Sequence, residues 1–164
     1  MAGTAADRLP PRMEGISVAI LVSRFHEAIT EGLLAGAREA AAAAGLSEDA
    51  TPVFRLPGAW ELPVAAREAA ASGRFDAVVA LGCVVRGETP HFDYVAGEAA
   101  RGLASVAHEH GVPLGFGLLT TDDVAQAARR AAPGAGNKGR EAMVAALETL
   151  HTLRAIRGNG EPSA

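Results

Sequence analysis

The 164-residue chain carries 15 Lys and Arg against 19 Asp and Glu, a formal net charge of -4 at pH 7. That length suits one domain with its own core, and the acidic balance leaves no basic surplus to neutralise a nucleic-acid backbone. One cysteine, Cys83, excludes an internal disulfide, and nothing resembles a Cys/His metal framework.

Hydrophobic residues make up 49% of the chain and aromatics only 4%, so the core is aliphatic and each aromatic invites a question about its purpose. Lys138 is the only lysine among many arginines. The N-terminal stretch has charges at Asp7, Arg8, Arg12 and Glu14 with no apolar run between them. It reads as neither a signal peptide nor a membrane span, which makes the cytoplasm the expected compartment.

Residues 1–14 are polar and contain proline; they read as an N-terminal arm. Residues 15–156 read as a single domain and 157–164 as a polar, frayed tail. Ile16 to Val22 is a near-continuous apolar run, which suits a strand buried on both faces of a parallel sheet. From Glu27 to Ala44 the period changes: Ile29, Leu33, Ala37 and Ala41 recur at helical spacing, and Gly45 ends the helix.

The cycle repeats. Thr51 to Leu56 reads as a strand, Glu61 to Ser72 as an alanine-rich helix, and Asp76 to Leu81 as a third strand. His91 to His110 reads as a helix stopped by Gly111, and Val112 to Leu119 as a fourth strand. Asp122 to Ala131 and Gly139 to Leu153 are two more helices, separated by Pro133 to Gly136. Strands alternating with helices imply an α/β fold with a four-stranded parallel sheet. In such sheets ligands bind beyond the carboxyl ends of the strands.

The unusual residues sit in those loops. Ser23 to His26 follows the first strand, Pro57 to Glu61 the second, Gly82 to His91 the third, and Thr120 to Asp123 the fourth. Phe25 and Trp60 lie in the first two loops and Phe116 in the last strand. They either offer flat stacking surfaces for a planar ring or plug the edge of the core. In the third loop Gly87, Glu88 and Thr89 lead into a helix with Pro90 near its first turn; free N–H groups there suit an anion, although Thr89 could equally be an ordinary N-cap. His91 opens that helix and is the candidate neutral base. Arg129 and Arg130 fit a solvated helix face. Lys138, at a loop-to-helix junction, fits either an anion contact or chance. Cys83 has no nearby His or Asn partner and reads as an inert buried thiol rather than a nucleophile.

Six segments in one order carry a resemblance: Ser23-Arg24-Phe25 with Glu27; Pro57 to Pro63 (P-G-A-W-E-L-P); Ala80 to Val95 (A-L-G-C-V-V-R-G-E-T-P-H-F-D-Y-V); Phe116 to Thr121 (F-G-L-L-T-T); Gln126 to Arg130; and Gly136 to Gly139 (G-N-K-G). Together, over roughly residues 16–150, they resemble the lumazine synthase family. The resemblance implies a flavodoxin-like three-layer α/β/α sandwich whose N-terminal arm can add a strand to a neighbour's sheet. It implies condensation of 5-amino-6-(D-ribitylamino)uracil with 3,4-dihydroxy-2-butanone 4-phosphate, with no metal or cofactor. It assigns the pyrimidine and its ribityl chain to Phe25, Ala59, Trp60, Glu61, Cys83, Val84 and Val85, and pocket closure to Phe116 from a neighbouring subunit. It assigns phosphate binding to Glu88, Thr89, Arg130 and Lys138, and proton transfer to His91. Small-molecule substrates and a homopentamer follow, as free pentamers or as an icosahedral shell of twelve. Whether riboflavin synthase is an enclosed partner stays open. Two positions depart from the family pattern: His26 stands where Asn is frequent, and Trp60 where Phe is common.

Overall fold

A computed structural model describes residues 10–161. Its elements are β1 (Val18–Ser23), α1 (Glu27–Ala43), β2 (Val53–Leu56), a 3-10 turn (Ala59–Glu61), α2 (Leu62–Ala71), β3 (Ala77–Val85), α3 (His91–His110), β4 (Leu114–Thr121), α4 (Val124–Ala131) and α5 (Lys138–Ile156). All strand pairs are parallel, in the order β2-β1-β3-β4. The expected flavodoxin-like α/β sandwich is therefore the architecture found.

The apolar runs explain the layering. β1 is buried along its whole length, so both faces need a helical cover. Side chains alternate across the sheet. Val18, Ile20, Val22, Val79 and Leu81 face a cluster with α1, α4 and α5. Ala19, Leu21, Val78 and Ala80 face a second cluster with α2 and α3. With few aromatics available, Leu33, Leu34, Leu62, Leu103, Met143 and Leu147 fill the interior.

Several boundaries differ from expectation. β3 runs four residues past Leu81, because Gly82 to Val85 stay paired with Leu118 to Thr121. Gly82 is closely packed: a β-carbon there would stand 2.9 Å from the Leu118 side-chain end and 3.1 Å from that of Leu62, so those side chains would have to shift. β4 starts two residues late, at Leu114, and keeps both threonines. β2 starts at Val53 because the Thr51 hydroxyl turns back onto the Ser47 and Glu48 carbonyls, and Pro52 has no N–H to pair. The tail is anchored at its start: Arg157 donates to the Gly111 carbonyl at 2.9 Å. The polar reading of the arm also fails at its end, since Pro10 and Met13 are buried and the Met13 N–H reaches the Ala44 carbonyl. Of the arm expected over residues 1–14, residues 1–9 lie outside the described residues, and residues 10–14 form no strand.

The helices on one face meet without intervening side chains. A β-carbon on Gly139 would lie 1.9 Å from the Leu33 carbonyl oxygen, and one on Gly36 would lie 2.1 Å from Oδ1 of Asn137. Both obstacles are fixed groups, so α1 and α5 must separate if either glycine gains a methyl. Gly139→Ala is expected to cost about 3 kcal/mol or more, as overpacking against backbone. Denaturant unfolding checks this; a loss under about 1 kcal/mol would mean the helices part freely.

Candidate active site

The strand order places the switch point between β1 and β3, because the chain leaves β1 in one direction towards β2 and in the other towards β3 and β4. A crevice opens there at the carboxyl edge. A cavity of about 580 Å³ occupies it, lined by Phe25 and His26 after β1, Gly58 to Trp60 after β2, Cys83 to Val85 at the end of β3, and His91, Tyr94 and Val95 on α3. Four segments separated in sequence thus converge on one hollow large enough for a small organic ligand.

Local structure aims each group. Phe25 and Trp60 are 68% and 58% exposed, so they are not plugs in the core edge; they stand as free faces over the hollow. His26 adopts φ 57 and ψ 52, the one positive φ among described non-glycine residues. Its carbonyl accepts the Ile29 and Thr30 N–H groups and starts α1. This left-handed requirement accounts for a position where Asn is frequent, since Asn and His tolerate that region better than most side chains. Glu61 folds back, its Oε2 accepting the Gly58 N–H at 2.9 Å. That bond shapes the Gly58 to Trp60 wall, but Glu61 does not itself line the hollow.

The loop from Arg86 to Pro90 is exposed, and Glu88 and Thr89 lie outside the lining. The Thr89 hydroxyl accepts the His91 N–H at 3.4 Å, but the helix N-cap is Pro90, so Thr89 is not the N-cap that the sequence offered as an alternative. Arg86, which sequence reasoning did not single out, pins this loop. Its guanidinium lies 4.2 Å over the Phe92 ring and 3.4 Å from both Asp93 and Asp122. Tyr94 and Val95 were also missed; they stand three and four residues beyond His91, on the same helix face, and that spacing was the available signal.

The remaining anticipated residues lie elsewhere on the same chain. Phe116, Arg130 and Lys138 line a second hollow of about 510 Å³ along β4, the edge strand, together with Glu141 and Ala142. Phe116 is half-exposed. Arg130 donates to the Gln126 carbonyl at 3.0 Å, and Lys138 holds the Glu141 carboxylate at 2.8 Å. Lys138 is therefore an ion-paired cation rather than a free one, and an anion arriving here competes with Glu141. The two hollows share no lining residue. His108 and His110 are exposed, as expected for helix faces, and His151 is half-buried. No cluster of His, Cys, Asp and Glu that could hold a metal occurs among the described residues. Among them, no helix is long and apolar enough to cross a membrane.

The fold and the hollow define a doubly wound α/β protein with an aromatic-walled cavity at its switch point. The sequence profile of 6,7-dimethyl-8-ribityllumazine synthase matches residues 15–154. Two proteins of that name, from Nitratidesulfovibrio vulgaris strains DSM 19637 / Miyazaki F and DP4, are 47% and 46% identical to this chain over 143 residues, 87% of its length and 92% of theirs. The chain belongs to the lumazine synthase family.

Burial pushes the Cys83 thiol up to about 11 from its ordinary 9.0. A raised thiol pKa keeps the neutral form through the alkaline range, so Cys83 lines the hollow as a small apolar group. Its rate with a disulfide reagent is expected to climb without levelling between pH 8 and pH 10, about tenfold per pH unit. A rate that bends over near pH 9 and is levelling by pH 10 would show an ordinary, accessible thiolate.

Proposed function

We propose that this chain condenses 5-amino-6-(D-ribitylamino)uracil with 3,4-dihydroxy-2-butanone 4-phosphate to 6,7-dimethyl-8-ribityllumazine, the step that precedes riboflavin. The ring amine attacks the ketone and an imine forms with loss of water. Phosphate leaves, and the second amine closes the ring with loss of another water. Family membership supports the reaction, and the aromatic-walled hollow at the switch point supports the ligand class.

Phe25 and Trp60 bracket the pyrimidine, and Ala59, Cys83, Val84 and Val85 form its floor. Glu61 takes the ribityl side through the oxygen that Gly58 leaves free. His91, at the rim, moves protons during elimination and enolisation. Arg130, Lys138, Glu88 and Thr89 receive the phosphate, with charge-assisted hydrogen bonds that persist as it departs. Holding both reactants in one cavity supplies further acceleration through effective molarity.

One observation supports an assembly: His91 and Arg130 sit on two hollows of one chain that share no residue. A site that uses both is completed by a second copy, whose Phe116, Arg130 and Lys138 cover the first copy's aromatic hollow. A head-to-tail contact of that kind closes into a ring, here a homopentamer in the cytoplasm. The short Pro133 to Gly136 connection is compatible with pentamers joining into a sixty-subunit shell, and sedimentation distinguishes the two sizes.

The test follows lumazine formation and phosphate release together; unequal release, or neither, rejects the reaction. His91→Ala is expected to lower kcat by about 10²- to 10⁴-fold while the pyrimidine still binds. An unchanged kcat removes His91 from the chemistry. Co-expressing His91→Ala with Arg130→Ala chains is expected to restore about a quarter of wild-type activity, the share of contacts that pair an intact His91 with an intact Arg130 across a random ring. Activity no higher than in either variant alone would place the whole site on one chain.

A further inference from the structure

The segment between α4 and α5 brings Arg130 and Lys138 to one hollow, yet neither helix is well placed to hold its own end. α4 has only eight residues and ends at Ala132 in an extended conformation, too short to be stable by its own hydrogen bonds. α5 begins at Lys138 and leaves its first N–H groups without helical partners.

Asn137 serves both ends. It is 2% exposed. Its Oδ1 accepts the Gly139 N–H at 2.9 Å and the Arg140 N–H at 3.0 Å, which caps α5. Its Nδ2 donates towards the Ala131 carbonyl at 2.8 Å, the Gly32 carbonyl at 3.0 Å and the Ala132 carbonyl at 3.2 Å. The amide orientation is forced, because two N–H groups face one end and three carbonyls face the other. Ala131 adjoins Arg130 and Asn137 adjoins Lys138, so one side chain ties the backbone beside both cations to the middle of α1.

Other residue types fail at this point. Aspartate caps but cannot donate when ionised, and serine caps but cannot also donate to three carbonyls. Glutamine is one methylene longer, and the neighbouring site is already so tight that Gly36 cannot carry a β-carbon.

We infer that Asn137 is a positioning residue that sets the separation of Arg130 and Lys138 for the phosphate-bearing substrate. The inference rests on the phosphate role given to those two cations above. Its consequence is selective. Displacing the cations weakens phosphate recognition and leaves the pyrimidine hollow intact, because Asn137 touches none of the lining of that hollow.

The experiment measures KM and kcat for each substrate, and competitive inhibition by inorganic phosphate, in wild type, Asn137→Asp, Asn137→Ser, Arg130→Ala and Lys138→Ala. Both Asn137 variants keep a capping oxygen and lose the amide donor; Asn137→Ser does so without burying a charge against three carbonyls, so it disturbs the fold less, and sedimentation verifies assembly of each variant. In both Asn137 variants the KM for the phosphate substrate and the phosphate inhibition constant are expected to rise about tenfold or more, the usual size for loss of a buried hydrogen-bond set. The KM for the pyrimidine is expected to stay within about twofold, inside the scatter of such comparisons. Equal losses for both substrates, no change for either, or failure of both Asn137 variants to assemble would overturn the inference and leave Asn137 a general structural residue. If Arg130→Ala and Lys138→Ala leave the phosphate constants unchanged, the phosphate reading itself falls, and this inference with it. If those two raise the constants while both Asn137 variants do not, only the positioning role falls.

Discussion

α1 and α5 touch backbone to backbone, and the rest of the carboxyl edge is arranged around that contact. The Leu33 carbonyl stands where a side chain on residue 139 would begin, and Asn137 fills the space that Gly36 leaves open. A close approach of this kind gives dense packing with small residues, which suits a chain poor in aromatics. It also fixes where α5 starts. Because α5 starts there, Lys138 faces the β4 edge and pairs with Glu141, and α4 is held between α1 and α5 with Arg130 on its exposed side. The same contact keeps α1 over the sheet, so the β1–α1 turn holds His26 in its left-handed conformation beside Phe25.

The two faces of the molecule carry complementary halves of one chemistry. The switch-point hollow offers ring surfaces, small apolar contacts and the imidazoles of His26 and His91. The β4 edge offers two cations, a carboxylate and a half-exposed phenylalanine. A planar, uncharged ring suits the first and a phosphate monoester the second. Each half supplies what the other lacks, and an exposed aromatic such as Phe116 gains free energy only when something covers it. The proposed function therefore couples assembly to catalysis: in it, the contact that covers Phe116 also brings Arg130 and Lys138 to the pyrimidine.

Arg86 links these halves within the chain. Its planar cation stacks on Phe92 and reaches carboxylates on α3 and after β4, so the loop that presents His91 is referenced to the strand that carries Phe116. Its ion pairs are solvent-accessible and individually weak. Their value is geometric, since they add to the few hydrogen bonds that order this exposed loop, among them the Arg86 N–H to the Thr121 carbonyl and the His91 N–H to the Thr89 hydroxyl.

Periodicity alone determined the fold class. Two-sided apolar runs such as Val18 to Val22 can only be central parallel strands, and the switch to a helical period after each one dictates the alternation. The order of chemically unusual residues along the chain also made the family legible, because Phe25, Trp60, His91 and the 136–139 segment each fall just beyond an element. Ends of elements were read less well. Gly82 to Val85 lacks an apolar period of its own and became strand only through pairing with β4. Glu61 carries a carboxylate that sequence cannot aim, and the structure spends one oxygen on Gly58. Asn137 looked like part of a loop, since its five contacts reach as far as residue 32 in the chain. How the anticipated site residues divide between two hollows was equally invisible, for a division in space depends on which face and edge each element occupies. Sequence specifies what each segment prefers to become and which side chains it carries; only packing in three dimensions decides which of them share a cavity, because that depends on contacts between residues far apart in the chain.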